Sequence, residues 1–225
     1  MPFAVWPAGG ALLAAAVMHL VSCVKRMEGL RKYTKALLVP LILCIHIIVC
    51  GFSHRLVIAA LVCGWIGDIL LIPKDRKAAF IAGGAFFLIG HALYIAEAFR
   101  LRLPQSSFER AGLVPAVITA AAVAALALAV YAAFYRRMDK RLRIPGAMYA
   151  LALAFMAGIT VWSMIGGGLK AGPLLMAAGG ALFAVSDFLL CAGLVRLVRL
   201  KNNRFWVMLT YILAQTGLAL GFALI

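Results

Sequence analysis

Two carboxylic acids interrupt long apolar runs, in Gly67-Asp68-Ile69-Leu70-Leu71 and Ser186-Asp187-Phe188-Leu189-Leu190. Asp68 lies six residues before the connector charge Lys74, and Asp187 nine before Arg196. On a helix these spacings put the carboxyl groups about 9 and 14 Å inside the apolar run. A carboxylate at the centre of a membrane helix costs at least about 2.5–3.5 kcal/mol on insertion scales, so such residues face the bundle interior and serve a function by default. The bland alternative is a neutral Asp that only ties two helices together by a hydrogen bond.

Other polar side chains fall at compatible heights. Gly83, Phe87, His91, Tyr94 and Ala98 share one face of a helix, and Tyr211 and Gln215 are one turn apart on another. His19 and His46 also lie in apolar runs, and His54 falls between two of them. Two carboxyls with His, Tyr and Gln are the side chains of acid–base catalysis. The chain contains no HExxH, GxSxG, GxxxxGK[ST] or CxxC motif. With no i, i+4 His pair, a metal held by His19, His46 or His91 ranks low, and neither metal nor cofactor is expected. The remaining acids read as ordinary surface charges. Glu28, Asp75, Glu109 and Asp139 sit in connectors beside Lys or Arg, and Glu97 is near Arg100 at a helix end.

The elements that position these groups are membrane helices. Of 225 residues 66% are hydrophobic, only 13% are charged, and the mean hydropathy is +1.06. A soluble domain carries about a quarter charged residues. The apolar residues fall in blocks of the length a helix needs to cross a bilayer. Spans are expected at roughly 3–24, 36–52, 56–73, 78–99, 113–135, 144–166, 173–195 and 205–225. This is an all-α bundle of eight helices in a single membrane domain, 1–225. The first run has no basic segment before it and reads as a span, not a cleaved signal. The five cysteines lie in apolar runs and read as small buried hydrophobes.

Seventeen of the 22 Lys and Arg fall in the first, third, fifth and seventh connectors. The positive-inside rule puts those connectors in the cytoplasm and both termini outside. It also accounts for the net charge of +15 without nucleic acid, which is not expected as a partner. Anionic membrane lipids are the natural counter-charge. The echo between the two aspartate segments, four spans apart, fits a parallel duplication of four helices. Gly166-Gly167-Gly168 and Gly179-Gly180 allow close helix approach within or between subunits, and the sequence leaves the oligomeric state open.

Several ordered blocks resemble the lysoplasmalogenase family of membrane proteins, also called the YhhN family. They are Gly67-Asp68 with Leu70-Leu71; Phe80-Ile81-Ala82-Gly83 through Phe87, His91, Tyr94 and Phe99; Gly180-Ala181-Leu182-Phe183 through Ser186-Asp187; and Tyr211 through Leu213-Ala214-Gln215. Thr34-Lys35-Ala36 departs from a pattern in which Pro often follows Lys. Thr210-Tyr211 stands where paired aromatics are common. The resemblance implies eight spans and hydrolysis of the vinyl ether bond of a lysophospholipid, giving a fatty aldehyde and a glycerophospho-base. It implies Asp68 and Asp187 as acid and base, in an order the sequence leaves open, with His91, Tyr94, Tyr211 and Gln215 orienting water or substrate. Arg31 and Lys35 could attract a phosphate, though positive-inside charge explains them equally well. The alternative use of two intramembrane aspartates is a proton-coupled transporter or lipid flippase. The short, basic loops and Ala-rich composition fit a bacterial inner-membrane protein.

Overall fold

The computed structural model describes residues 3–73, 77–195, 197 and 200–225, and for Lys77 and Gly167 only the backbone. The connector charges Lys74, Asp75 and Arg196 lie outside the described residues. Those residues form nine α-helices and no strand. They are α1 (Val5–Lys25), α2 (Glu28–Cys50), α3 (Arg55–Leu70), α4 (Lys77–Arg100), α5 (Leu103–Ala111), α6 (Leu113–Tyr135), α7 (Arg143–Gly167), α8 (Ala171–Leu194) and α9 (Asn203–Ala223).

Seven of these helices are long and apolar enough to cross a membrane. Of the eight expected spans, the third is the exception: α3 has 16 residues and ends at Leu70, short of the expected Pro73. The residue before a proline disfavours the helical region, which closes the helix early. Asp68 therefore stands in the last turn of α3. The expected second span is extended in the other direction. Helix α2 begins at Glu28, because no breaker separates the basic connector from the apolar run. Helix α5, amphipathic and unforeseen, fills the fourth connector.

Proline placement follows from its missing N–H. Pro7, Pro104, Pro115, Pro145 and Pro173 all occupy first turns, where that N–H has no intrahelical partner. Pro40 is internal to α2 and leaves the carbonyl of Ala36 without its usual donor. The indole Nε1 of Trp65 on α3 donates to that carbonyl at 2.8 Å. In an apolar medium a backbone group must be satisfied from within the protein. The defect in α2 thus becomes a tie between α2 and α3.

Small residues set the closest helix approaches. A Cβ at Gly179 of α8 would lie 2.7 Å from the backbone nitrogen of Leu218 and 2.9 Å from the carbonyl oxygen of Ala214, both on α9. Gly67 of α3 and Gly83 of α4 meet in the same way, each 3.2 Å from the other's carbonyl oxygen once a Cβ is added. Gly180 takes the hydroxyl of Thr160 on α7, and Gly166 takes Ser107 of α5. These glycines therefore serve contacts within the chain. Helix α9 packs against α1, α2, α3 and α8, whereas α6 lies mainly against α5 and α7, with Phe134 meeting Phe188 of α8 at 5.6 Å between ring centroids. All five cysteines are free, but only Cys23 is buried, and Cys44 faces outward. A small thiol on an apolar outer face meets lipid tails as readily as core.

Gly179→Val is expected to destabilise the protein by about 1–3 kcal/mol, the usual range for overpacking. Gly84→Ala, with nothing within 4 Å of the new Cβ, should be neutral or slightly stabilising. Thermal unfolding in detergent reads both, and equal shifts would remove the close-approach account of α8 and α9.

Candidate functional site

The two aspartates have different surroundings. Asp68 is 2% exposed. Its Oδ1 lies 3.2 Å from the Nζ of Lys35 on α2. Its Oδ2 accepts from the Tyr211 hydroxyl of α9 at 2.6 Å. Asp187, expected to be equally buried, is only half-buried. Its Oδ2 accepts a short hydrogen bond from the Tyr149 hydroxyl of α7. Among the described residues no Lys or Arg pairs with it. The two phenols that bond the aspartates, Tyr211 and Tyr149, are linked through the packed rings of Phe183 and His91.

Three of the remaining expected residues form one column with Asp68. Gln215 Nε2 donates to the Tyr211 oxygen at 3.3 Å, and Tyr94 OH donates to Gln215 Oε1 at 2.9 Å. The directions are mutually consistent. Tyr211 gives its only proton to Asp68, so it must accept from the amide NH2, which turns the amide oxygen towards Tyr94.

His91 belongs to the other half of the site. Its ring packs edge-on against Phe183 at 4.7 Å and against Tyr149 at 5.4 Å. Phe183 in turn meets Tyr211 at 5.7 Å. An aromatic wall of Tyr211, Phe183, His91 and Tyr149 therefore runs from one aspartate to the other. His91 is 1% exposed, and both its ring nitrogens lack a hydrogen-bond partner among the described residues. Such a group is rare in a native interior.

Sequence reasoning weighed Lys35 as a phosphate-attracting or positive-inside charge rather than as a partner of Asp68, and missed Tyr149 and the packing role of Phe183. The signal for Lys35 is its position: it continues the apolar face of α2 through Leu38, Val39 and Ile42, each no more than 2% exposed. Nothing in the sequence pairs Tyr149 with Asp187. The other polar groups are accounted for elsewhere. His19 Nδ1 is 2.8 Å from the Thr34 hydroxyl, and His46 Nδ1 is 2.8 Å from the carbonyl of Ala219. Glu97 does not snorkel outward. It is 0% exposed, clamped by Arg100 at 2.6 Å and His54 at 2.7 Å. Two surface grooves, of about 460 and 320 Å³, lie around α5, away from the aspartates.

A bundle of apolar helices with carboxyl, ammonium, phenol and imidazole groups converging inside it defines an integral membrane protein with an internal acid–base site. The YhhN family model matches residues 30–222, a stretch that contains both aspartates and all their partners. The chain belongs to this family, the lysoplasmalogenase family. No curated protein and no solved structure matches it.

Removing one partner of a buried ion pair typically costs about 3–5 kcal/mol. Lys35→Met is expected to destabilise the protein on that scale, and adding Asp68→Asn to recover much of the loss. Unfolding of the two single variants and the double variant gives the coupling energy. Simple additivity would show that the pair contributes nothing.

Proposed function

We propose that this chain hydrolyses the vinyl ether bond of a lysoplasmalogen, releasing a fatty aldehyde and a glycerophospho-base. The observation that carries this reading is the unequal partnering of two neighbouring carboxyl groups. Lys35 supplies the counter-charge for a carboxylate at Asp68. Among the described residues only a phenol partners Asp187, which suits it to the neutral acid. Splitting two carboxyl groups into acid and anion by their environments is the arrangement that handles oxocarbenium-like states in glycoside hydrolysis.

The steps balance as follows. Asp187 transfers its proton to the vinyl carbon remote from the ether oxygen, leaving an oxocarbenium ion that the Asp68 carboxylate stabilises. Asp68 then takes a proton from water as the water adds to the cationic carbon. In the resulting hemiacetal, the ether C–O bond breaks. Asp68 returns its proton to the departing glycerol oxygen, and the hydroxyl proton goes back to Asp187. Tyr211 and Lys35 hold Asp68 in one orientation. The buried His91 nitrogens receive water or a polar group of the substrate. Asp187 is the more exposed of the two residues, so it is the one that a lipid entering from the flank meets first.

The reading also takes α3 as an eighth span, the whole chain as one membrane domain, both termini as extracytoplasmic and the membrane as a bacterial inner membrane. Its support is the connector charge and the alternation that eight spans require.

Purified protein given a lysoplasmalogen is expected to release aldehyde without added metal. Asp68→Asn and Asp187→Asn should each reduce the rate by a factor of about 10² or more, the lower range for a positioned acid or base. Tyr149→Phe should leave a measurable fraction. Full activity in both Asn variants would sink the mechanism, and lipid movement across proteoliposomes without aldehyde would favour the transporter.

A further inference from the structure

A cluster of cations lies one helical turn outward from Asp68. Arg31 is four residues before Lys35 on α2 and so shares its face, displaced by roughly 6 Å along the axis. Arg31 places its Nε at 2.9 Å and an Nη at 2.8 Å from the same oxygen of Glu28. Arg204, in the first turn of α9, reaches the other oxygen of Glu28 at 2.8 Å. Arg204 thus joins α9 to α2 at this end, and the carboxylate it reaches also holds Arg31.

Positive-inside charge explains the presence of these residues but not their state. A cation that only answers bulk headgroups extends outward, whereas the Arg31 side chain is 13% exposed and held in place. Each guanidinium has five N–H donors, and Glu28 engages two from Arg31 and one from Arg204. Among the described residues the remainder have no partner. The described groups are three cations, Arg31, Arg204 and Lys35, and two carboxylates, Glu28 and Asp68. That excess of positive charge suits a phosphodiester, which carries one negative charge. Length suits it as well. In a lysophospholipid only the three glycerol carbons and their two ester or ether oxygens separate the ether-linked chain from phosphorus, a span comparable to one helical turn.

We propose that Arg31 and Arg204 form the seat for the substrate's phosphodiester and thereby fix the depth at which the ether bond meets Asp68 and Asp187. The inference rests on the lysophospholipid reading above, but its test does not require turnover. Arginine suits the task because its planar fork matches phosphate geometry. Glu28 orients the two guanidiniums as a positioning group.

The experiment measures the ligand-induced rise in thermal midpoint in detergent, using a lysophospholipid with a saturated ether chain that cannot be hydrolysed. The phosphate-free 1-alkylglycerol, inorganic phosphate and the connector variant Arg137→Gln serve as comparisons. Arg204→Gln, at a half-exposed position, is expected to weaken the lysophospholipid roughly tenfold, as loss of a charge-assisted contact does. Its affinity for 1-alkylglycerol should not change, and Arg137→Gln should change neither. Arg31→Gln should act in the same direction and more strongly. Equal weakening by Arg137→Gln would reduce the cluster to bulk attraction and overturn the proposal. An equal loss for 1-alkylglycerol would overturn it too. Stabilisation by inorganic phosphate as strong as by the lysolipid would assign the cluster to a soluble anion instead. Aldehyde release that fails while this selectivity holds would remove the hydrolase reading and leave the phosphate seat.

Discussion

A charge inside an apolar bundle must be matched inside that bundle, and the Lys35–Asp68 pair is where this chain meets the requirement. An isolated carboxylate in such a medium is far too costly to keep ionised, but one with an ammonium and a phenol on its two oxygens is not. The pair sets conditions on four helices. Helix α2 must deliver Lys35 at the height of the last turn of α3. The Trp65 bond to the carbonyl exposed by Pro40 ties these two helices directly. Helix α9 must bring Tyr211 close enough to donate, and its approach to the bundle depends on glycines that admit backbone contact with α8. The thickness of a single Cβ on that seam would displace Tyr211 from Asp68.

The membrane helices were legible because their signal is composition over some twenty residues, which neither packing nor function disturbs. The run Leu113–Tyr135 is the clearest example: it is apolar on every side, and the structure buries only its Phe134. Where the expectation and the structure part, a local rule won over composition. Pro73 ended α3 early, and an unbroken basic segment lengthened α2. At the site, Asp68, Asp187, His91, Tyr94, Tyr211 and Gln215 were visible because polar side chains are rare in such runs. Their grouping was not. Tyr211 donates to Asp68 across 143 residues, and Tyr149 to Asp187 across 38, with no periodicity to connect them. Lys35 was hidden for the opposite reason, as one cation among 22.

The column from Tyr94 to Asp68 also bears on what the site does. A proton relay needs members that accept a proton on one side and release one on the other. Hydroxyls, imidazoles and carboxyls do this; an amide does not without becoming its imidic acid. Gln215 stands in the middle of the column, and each bond in it runs in one direction, towards Asp68. Such a chain polarises its terminal acceptor and fixes its orientation. It holds the Asp68 carboxyl in one orientation, which suits the base of the proposed reaction.

The echo between the two aspartate segments gives the asymmetry of the site a physical form. If the first four long helices and the last four are compared in order, α2 corresponds to α7, α3 to α8 and α4 to α9. Each aspartate then takes a partner from the helix before its own: Lys35 of α2 for Asp68, and Tyr149 of α7 for Asp187. The fourth helices correspond as well. Helix α9 supplies Tyr211, bonded to Asp68, and α4 supplies His91, packed on the phenol that holds Asp187. At each corresponding place the chemistry differs: ammonium against phenol, and a committed hydroxyl against an imidazole with neither nitrogen bonded among the described residues. Two equivalent aspartates would compete for one proton and share a single character. Different helices around a common geometry give the two aspartates different partners, and in the proposed reaction that difference separates anion from proton donor, with the imidazole on the donor's side.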